Sequence, residues 1–322
     1  AELMEKGELT DAASTHVYYM NEKAVIGDKT LFADPAVRKA LSLALDREAI
    51  AEALVLAKAA DALVPGAILN STDDDETFRN AARESISTLP NVKLAKAMLS
   101  AAGITPSDYS FSITVAAYDT DHVAAAELAK AAWNALGFKV SVKKLDVEPV
   151  YQLDKNTDKM VDAGYVNDLY KEAYKAGDFE VIALDLVATG VDAFSYLAPF
   201  ATAFSGNAMD VNTETNPTYA LTPHITGYQS AAYDAKIEAA YDEKDPEKRA
   251  ALLHEAEEIL LSDMPVIPVV YNTNFSLASG ELSKIESRFF CNAHFQKTSL
   301  SGYWDIALAE KFVEETKETD KK

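Results

Sequence analysis

The chain has 322 residues, of which 48% are hydrophobic, and its formal net charge is −21. This charge argues against nucleic acids and anionic membrane surfaces as partners, because both require a cationic protein face, and its simplest role is to keep the protein soluble. One cysteine, Cys291, excludes an internal disulfide, and no run of apolar residues is long enough to predict a membrane-spanning helix.

The first third of the chain predicts a strand followed by helices. Thr15–Met20 is rich in β-forming residues, and the polar residues before it are typical of the end of a helix. Asp34-Pro35 combines a capping residue with proline at the first helical position, which predicts a helix over about Ala36–Ala53. Asn91–Ala102 predicts a second amphipathic helix, and Gly103 follows where a left-handed residue commonly ends one.

The middle of the chain alternates between strand and helix patterns. The predicted elements are strands at Tyr109–Ala117, Phe138–Leu145 and Phe179–Leu186, with helices at His122–Leu136 and Lys159–Lys175. This order predicts right-handed crossovers and a sheet that is at least partly parallel. Because ligands of such sheets lie beyond the carboxyl ends of the strands, the loop Val187–Ser195 is the first candidate site.

The last third contains the clearest helix–strand unit. Asp245-Pro246 predicts the start of a helix, and Pro265 prevents its continuation. Val266–Tyr271 is almost continuously apolar, which predicts a strand buried on both faces, and Pro268 within it indicates an edge, bulge or crossing point. A long loop over 200–226, a short helix over 230–241 and a charged C-terminal helix over 303–322 complete the prediction.

No motif for catalysis or metal binding stands out. The five histidines, which lie far apart in sequence, are His16, His122, His224, His254 and His294. Cys291 and His294 offer two ligands where structural zinc needs four, and the acidic loop Asn70–Glu76 lacks the spacing and glycine of a calcium loop. The nucleophile elbow, the P-loop and the dinucleotide fingerprint are absent. The sequence therefore favours binding over catalysis and predicts no cofactor and no metal.

Five stretches, in chain order, resemble segments of the family 5 extracellular solute-binding proteins, which are the oligopeptide- and dipeptide-binding components of ABC importers. They are DPAVRKALSLALDREAI (34–50), NVKLAKAMLSAAGI (91–104), LGFKVSVKKLDV (136–147), GYQSAAYDAKIEAAY (227–241) and DPEKRAALLHEAEEILLSDMPVIPVVY (245–271). The resemblance implies an α/β fold: a lobe like those of type II periplasmic binding proteins, with a mixed, partly parallel sheet flanked by helices. It also implies a protein that is not an enzyme.

The resemblance further implies a division of the chain. Residues 1–33 would be the end of a first lobe and the crossover, 34–271 the C-terminal ligand-binding lobe, and 272–322 a return segment toward the first lobe ending in a frayed helix. A signal sequence and a large N-terminal lobe would precede this region. The expected protein is a monomer, either periplasmic or an extracellular lipoprotein anchored to the membrane, that works with the membrane permease of an ABC importer.

In this family, peptides bind between two lobes that close about a hinge, largely through main-chain hydrogen bonds. In many members an aspartate just after the third strand pairs with the α-amino group of the peptide, and an alignment without gaps places Thr189 at that position. Either Asp192 or Asp185 replaces that aspartate, or the ligand has no free N-terminus. The candidate ligand-binding residues are Val187, Ala188, Thr189, Gly190, Asp192, Phe194 and Tyr271.

The expected function is therefore binding of short peptides for import. Three alternatives stay open at the level of sequence. The same fold could bind a non-peptide solute, such as a sugar or a metal chelate, or it could act as a sensing or interaction module. An α/β enzyme that uses carboxylates of the Asp185–Asp192 loop is the third.

Overall fold

The structure, a computed structural model, describes residues 8–70, 76–80, 85–154, 159–188, 190, 192–204 and 226–276, together with the backbone of four short strands beyond residue 281. The strands are β1 (Glu8–Met20), β2 (Ala57–Ala59), β3 (Ser110–Ala116), β4 (Lys139–Leu145), β5 (Val147–Asp154), β6 (Lys159–Asp168), β7 (Val181–Val187), β8 (Val266–Ser276), β9 (Leu282–Ser283), β10 (Glu286–Arg288), β11 (Asn292–His294) and β12 (Ser299–Leu300). The α-helices are α1 (Pro35–Ala44), α2 (Arg47–Leu54), α3 (Val92–Ala101), α4 (Thr120–Leu136), α5 (Leu169–Ala176), α6 (Phe194–Leu197), α7 (Ala231–Asp242) and α8 (Pro246–Asp263).

A mixed six-stranded sheet forms the centre of the described structure, in the order β2-β8-β1-β7-β3-β4. β3 pairs in parallel with both β4 and β7, whereas β1 is antiparallel to β7 and β8. The helix α4 connects the parallel strands β3 and β4, as the alternation of strand and helix patterns predicted. The expected α/β fold with a mixed, partly parallel sheet is confirmed.

The two faces of the sheet pack against different helices. Tyr18 and Met20 of β1 point into one core with α1 to α4, where Trp133 is fully buried and its indole N–H donates to the carbonyl of Leu41 at 2.9 Å. Val17 and Tyr19 point the opposite way, into a second core with α7 and α8. Alternation along one strand thus supplies both cores.

Capping residues begin the helices where the sequence predicted. The Asp245 carboxylate accepts from the backbone N–H groups of Glu247 and Lys248, and Pro246 follows it at the first helical position. The Asp34 carboxylate accepts from the N–H of Ala36 in the same way. These bonds satisfy donors that have no partner within the helix, so each cap fixes the start of its helix.

Pro268 marks the predicted irregularity in a buried strand. β8 is buried over Val266–Tyr271, and its register with β1 shifts between the pairs at His16 and Val17, where Val17 faces Pro268. Proline has no N–H to donate to the ladder, so the shift occurs where a ladder bond is missing in any case. The Pro268 carbonyl instead accepts from Nε of the buried Arg47 at 2.8 Å.

Three sequence predictions are wrong. β1 begins at Glu8, so the end of a helix expected before Thr15 is strand from that residue on. The single helix expected over 36–53 is two helices, because Leu45 is extended and the Asp46 carboxylate caps a new helix by accepting from the N–H of Ala49. The helix expected over Lys159–Lys175 is strand β6, which forms a hairpin with β5, and only Leu169–Ala176 is helical. Asp168 caps that helix by accepting from the N–H of Lys171.

Some predictions fall outside the described residues. These are the C-terminal helix over 303–322, most of the loop over 200–226, Cys291 and the side chain of His294. Among the residues that are described, no helix combines the length and the apolar character needed to cross a bilayer.

A buried ion pair joins α8 to the segment between β2 and α3. The Glu257 carboxylate accepts from both terminal nitrogens of Arg79, at 2.9 and 2.6 Å, and from the backbone N–H groups of Leu63 and Val64. Glu257 is only 3% exposed. Four donors therefore converge on one buried carboxylate.

Replacing this carboxylate is expected to be costly. Glu257→Ala removes the carboxylate that pairs with the Arg79 guanidinium and leaves two backbone donors without an acceptor, and we expect a loss of about 3–5 kcal/mol in the free energy of unfolding. Urea denaturation followed by circular dichroism measures it. Glu258→Ala, one residue along the same helix at a partly exposed position, is the matched control and should change stability by less than about 0.5 kcal/mol. Equal effects of the two substitutions would contradict the prediction.

A second buried carboxylate lies where β1 leaves the sheet. The Glu22 side chain is 13% exposed, and one of its oxygens lies 3.3 Å from the Arg38 guanidinium. Burial, with a smaller contribution from Asp263, outweighs Arg38 and raises the pKa of Glu22 to about 7. Glu22 therefore keeps its proton in the folded chain over a pH range in which the unfolded chain has lost it.

This shift predicts a pH-dependent difference between two proteins. A carboxyl group whose pKa is raised on folding stabilises the fold fully below its unfolded pKa, and that contribution is lost as the pH rises through 7. The stability of Glu22→Gln relative to the unsubstituted chain should increase between about pH 4.5 and 7, by about 1–2 kcal/mol after allowance for solvent screening, and then level off. Thermal and urea unfolding at several pH values measure this difference. A flat difference across that range would contradict the raised pKa.

Candidate ligand-binding site

The carboxyl ends of three strands lie at the same edge of the sheet. β7 runs parallel to β3, and it runs in the same direction as β8 because both are antiparallel to β1. The helix α4 starts close beyond the end of β3. We call this side of the sheet the carboxyl edge; it is formed by the ends of β3, β7 and β8. Ligands of α/β proteins commonly lie at such an edge.

Two histidines and an aspartate meet near the carboxyl edge. His16 of β1 stands opposite Asp185 of β7 in the strand register, and its Nδ1 lies 3.0 Å from Oδ1 of Asp185. His122, in the first turn of α4, places its Nε2 3.0 Å from the same oxygen. The two imidazole centroids are 4.3 Å apart. We call these residues the His16–Asp185–His122 cluster.

Neighbouring polar groups orient the cluster. The Asn272 side-chain amide donates to Oδ2 of Asp185 at 3.0 Å and to the Ser14 hydroxyl at 2.8 Å. The carboxylate of Asp119, which caps α4, accepts from the His122 backbone N–H and also lies 3.4 Å from its Nδ1. Both carboxylate oxygens of Asp185 therefore already accept from protein groups.

The surroundings give the three ionisable groups different charges. Burial alone would raise the pKa of Asp185, but the hydrogen bonds from His122 and His16 outweigh it and hold that pKa far below its usual value. Burial, together with the charge of His122, lowers the pKa of His16. Burial opposes protonation of His122 as well, but Asp185 and Asp119 raise its pKa overall. The cluster thus consists of an ionised carboxylate, a neutral His16 and a His122 that binds a proton readily.

The predicted loop begins at the carboxyl edge beside this cluster. Val187 pairs with Ser14 and is 57% exposed, whereas Ala188 is buried and its N–H donates to the carbonyl of Ala13 at 3.0 Å. Gly190 is half-buried, and Thr189 lies outside the described residues. Among the described residues of this group, Val187 offers the most side-chain surface to a ligand.

Asp192 and Phe194 are held by other protein groups. Oδ2 of Asp192 accepts from Nε of Arg249 at 3.0 Å, and Oδ1 accepts from the N–H of Phe194 at 2.8 Å. The Phe194 ring lies 4.8 Å from the Arg249 guanidinium carbon and 5.2 Å, centroid to centroid, from the Phe204 ring. The loop is therefore anchored onto α8 through Arg249.

Tyr271 lies on the other face of the sheet from His16. Its hydroxyl donates to the Asp61 carboxylate and accepts from the N–H of Ala62, both at 2.9 Å. The side chain also lines a polar cavity of about 420 Å³, together with Lys58 and Arg79. The structure thus places Tyr271 in a different polar environment from the one that surrounds Asp192 and Phe194.

His16, His122 and Asn272 were not predicted as site residues. The start of a helix after a parallel strand was a usable signal for His122, because the first turn of such a helix lies at the carboxyl edge. His16 and Asn272 had no comparable signal. They reach Asp185 only through the antiparallel register of β1 and the course of β8.

The sequence and the fold match known proteins. The profile of the family described as "Bacterial extracellular solute-binding proteins, family 5 Middle" matches residues 3–208. The probable deoxycholate-binding periplasmic protein YgiS of Escherichia coli (strain K12) is 27% identical over 248 residues, which are 76% of this chain and 38% of YgiS. The dipeptide-binding protein DppE of Bacillus subtilis (strain 168) is 27% identical over 262 residues, or 79% of this chain and 40% of DppE.

Solved structures share the fold at lower identity. HbpA2 from Haemophilus parasuis superposes with a TM-score of 0.68 at 17% identity, and the match covers 93% of this chain and 51% of HbpA2. Other solved relatives of the same fold include two complexes with peptides. These neighbours are type II periplasmic binding proteins, which agrees with the predicted fold. The chain spans about two fifths of the length of the curated relatives and about half of the solved ones.

The contact between Asp192 and Arg249 supports a prediction. Arg249→Met removes the ion pair, the contact with the Phe194 ring and a hydrogen bond to the carbonyl of Ala240. We expect a loss of about 1–2 kcal/mol in unfolding free energy and faster amide hydrogen exchange in the loop over 187–195. Urea titration and hydrogen-exchange mass spectrometry measure the two effects.

Lys248→Met is the matched control, because the Lys248 side chain is 71% exposed and pairs only loosely with the capping Asp245, at 3.6 Å. We expect it to change stability by less than about 0.5 kcal/mol and to leave exchange in the loop unchanged. Unchanged exchange in Arg249→Met would show that Arg249 does not anchor the loop.

Proposed function

This chain belongs to the family 5 bacterial extracellular solute-binding proteins, and we propose that it is part of a solute-binding component that delivers its ligand to the permease of an ABC importer. The observation that carries the proposal is the family match over residues 3–208, joined to a fold shared with type II periplasmic binding proteins. Proteins of this family lie outside the cytoplasm, where they bind solutes for transport, and they are not enzymes. The alternative of an enzyme using the Asp185–Asp192 loop is therefore set aside.

Short peptides are the proposed ligands. The similarity to a dipeptide-binding protein and the peptide complexes among the solved relatives support this class. Peptides in an extended conformation can be held through main-chain hydrogen bonds, which tolerate many side chains. The proposed contacts remain Val187, Ala188, Thr189, Gly190, Asp192, Phe194 and Tyr271.

The two carboxylates considered for the peptide amino group are already bonded within the protein. Asp185 accepts from His16, His122 and Asn272, and Asp192 accepts from Arg249 and a backbone N–H. Binding an ammonium group at either carboxylate would have to compete with these bonds. This favours ligands held mainly through their main chain, with a small contribution from a free N-terminus.

A second candidate is an amphipathic non-peptide solute. The similarity to a probable deoxycholate-binding protein favours it, because that ligand has no amino terminus and needs no aspartate at position 189.

The division of the chain also remains a proposal: 34–271 as the ligand-binding lobe, with 1–33 and 272–322 contributing to the connection with a first lobe. We further propose that the protein acts as a monomer.

Calorimetry and thermal-shift measurements test the ligand class. The probes are di- to hexapeptides, each with a free or an acetylated N-terminus, together with deoxycholate, a disaccharide and a nickel chelate. We expect peptides to bind, with N-acetylation weakening binding less than tenfold, which corresponds to about 1.4 kcal/mol. Binding of deoxycholate alone would replace the peptide proposal with the second candidate, and binding of none of these probes would overturn both.

A pair of valines tests the location. Val187→Arg should weaken ligand binding at least tenfold, because it places a long cation at the carboxyl edge. Val25→Arg is the matched control, since Val25 is 69% exposed in a loop beyond the opposite end of β1, and it should leave affinity unchanged. Equal affinities of the two variants would place the ligand elsewhere.

The measurements are made on the whole encoded polypeptide and on residues 1–322, for which we expect weaker binding because half of a cleft supplies only part of the contacts.

A further inference from the structure

We propose that His16, His122 and Asp185 form a binding site for a divalent transition-metal ion such as Zn²⁺. The proposal stands independently of which solute the protein carries. It rests on the geometry of three side chains, on the groups that orient them and on their burial.

The three ligand atoms are almost in place for a metal. Nδ1 of His16 and Nε2 of His122 each lie 3.0 Å from Oδ1 of Asp185, and one ligand atom from each residue lies within 4.8 Å of the other two. In a tetrahedral zinc site with bonds of about 2.0–2.1 Å, neighbouring ligand atoms are about 3.3 Å apart. A metal ion therefore requires only small rotations of these side chains.

The chemistry of the ligands selects the metal. Two imidazole nitrogens and one carboxylate oxygen suit zinc and its neighbours in the first transition row, whereas calcium and magnesium prefer sites made entirely of oxygen. A set of three protein ligands also leaves at least one coordination position for water or a solute atom. The cluster is thus suited to an accessible ion rather than to a closed structural site.

Neighbouring polar groups orient the three ligand side chains, as the hydrogen-bond partners of metal ligands do in known metal sites. Asn272 donates to Oδ2 of Asp185 and leaves Oδ1 directed at the two histidines. The Asp119 carboxylate lies beside Nδ1 of His122, on the far side of the ring from the nitrogen that faces Asp185. A carboxylate behind a ligating histidine fixes the ring orientation and increases the basicity of the ligating nitrogen.

Burial encloses the cluster on the His16 side and leaves it open on the Asp185 side. His16 is 1% exposed, whereas the Asp185 side chain is 35% exposed. An ion held by the three residues would therefore be reached from the Asp185 side, where water or a solute atom could complete its coordination.

The test measures metal binding by the 322-residue chain after dialysis against a chelator. Titration calorimetry with Zn²⁺ and the visible absorption of bound Co²⁺ should show one ion per chain. Asp185→Asn and His122→Gln, which keep a polar side chain of similar length, should each weaken binding at least tenfold and abolish the Co²⁺ absorption. The controls are Asp108→Asn, at an exposed aspartate, and His254→Gln, whose histidine is bonded to Asn70. Both should bind as the unsubstituted chain does.

Two results would overturn the proposal. One is the absence of stoichiometric binding of Zn²⁺, Co²⁺ and Ni²⁺, which would leave the cluster a hydrogen-bond network. The other is equal affinity of the unsubstituted chain, Asp185→Asn and His122→Gln. Should the substituted chains fail to fold, as judged by circular dichroism in chelator, nuclear magnetic resonance of the unsubstituted chain decides. Zn²⁺ should then shift the imidazole signals of His16 and His122 and leave those of His254 in place, and the reverse pattern would contradict the site.

Discussion

The antiparallel pairing of β1 between β7 and β8 is the constraint on which the described structure depends. β7 and β8 do not pair with each other, so β1 supplies the hydrogen bonds that join the two sides of the sheet. Its alternate residues also enter both cores: Tyr18 and Met20 on one face, Val17 and Tyr19 on the other, all between 0 and 1% exposed. Removing β1 would therefore expose two apolar layers at once and leave β7 and β8 each unpaired along one side.

Buried charged groups then fix the connections around this sheet. Arg47, 1% exposed, donates to the carbonyls of Pro268, Ser42 and Ser87, and thereby ties α2 to β8 and to the segment before α3. Arg38 donates to carbonyls at the end of α8. The Glu257 carboxylate accepts hydrogen bonds from Arg79 and from two backbone N–H groups. A buried charge is tolerated only where its hydrogen-bonding capacity is met. Each of these residues consequently specifies one arrangement of the chain around it.

The same requirement, that buried polar groups have hydrogen-bond partners, shapes the carboxyl edge. Asp185 and Asp192, the two carboxylates considered for the predicted site, each accept hydrogen bonds from imidazole, guanidinium or amide groups of the protein. Within the part of this edge that the structure describes, Val187 and the open side of the His16–Asp185–His122 cluster supply exposed surface. The proposed recognition of solutes through the main chain and the proposed ion binding by the cluster are compatible, because they use different atoms.

Sequence patterns by themselves determined the local features of this protein. Asp34 and Asp245 predict the starts of two helices, and the alternation of apolar and polar residues predicts β3 and β4. The apolar run that contains Pro268 predicts a buried strand with an irregular register. Five stretches in chain order indicate the family. Each of these signals lies within a few residues, where caps, proline and periodicity act. The sequence pattern predicted a helix where β6 lies. Pairing with β5, and not the periodicity of β6 itself, determines that this segment is a strand. The His16–Asp185 contact was beyond prediction, because it joins residues 169 positions apart. Only the tertiary structure decided it, since strand register depends on how two cores pack on opposite faces of one sheet.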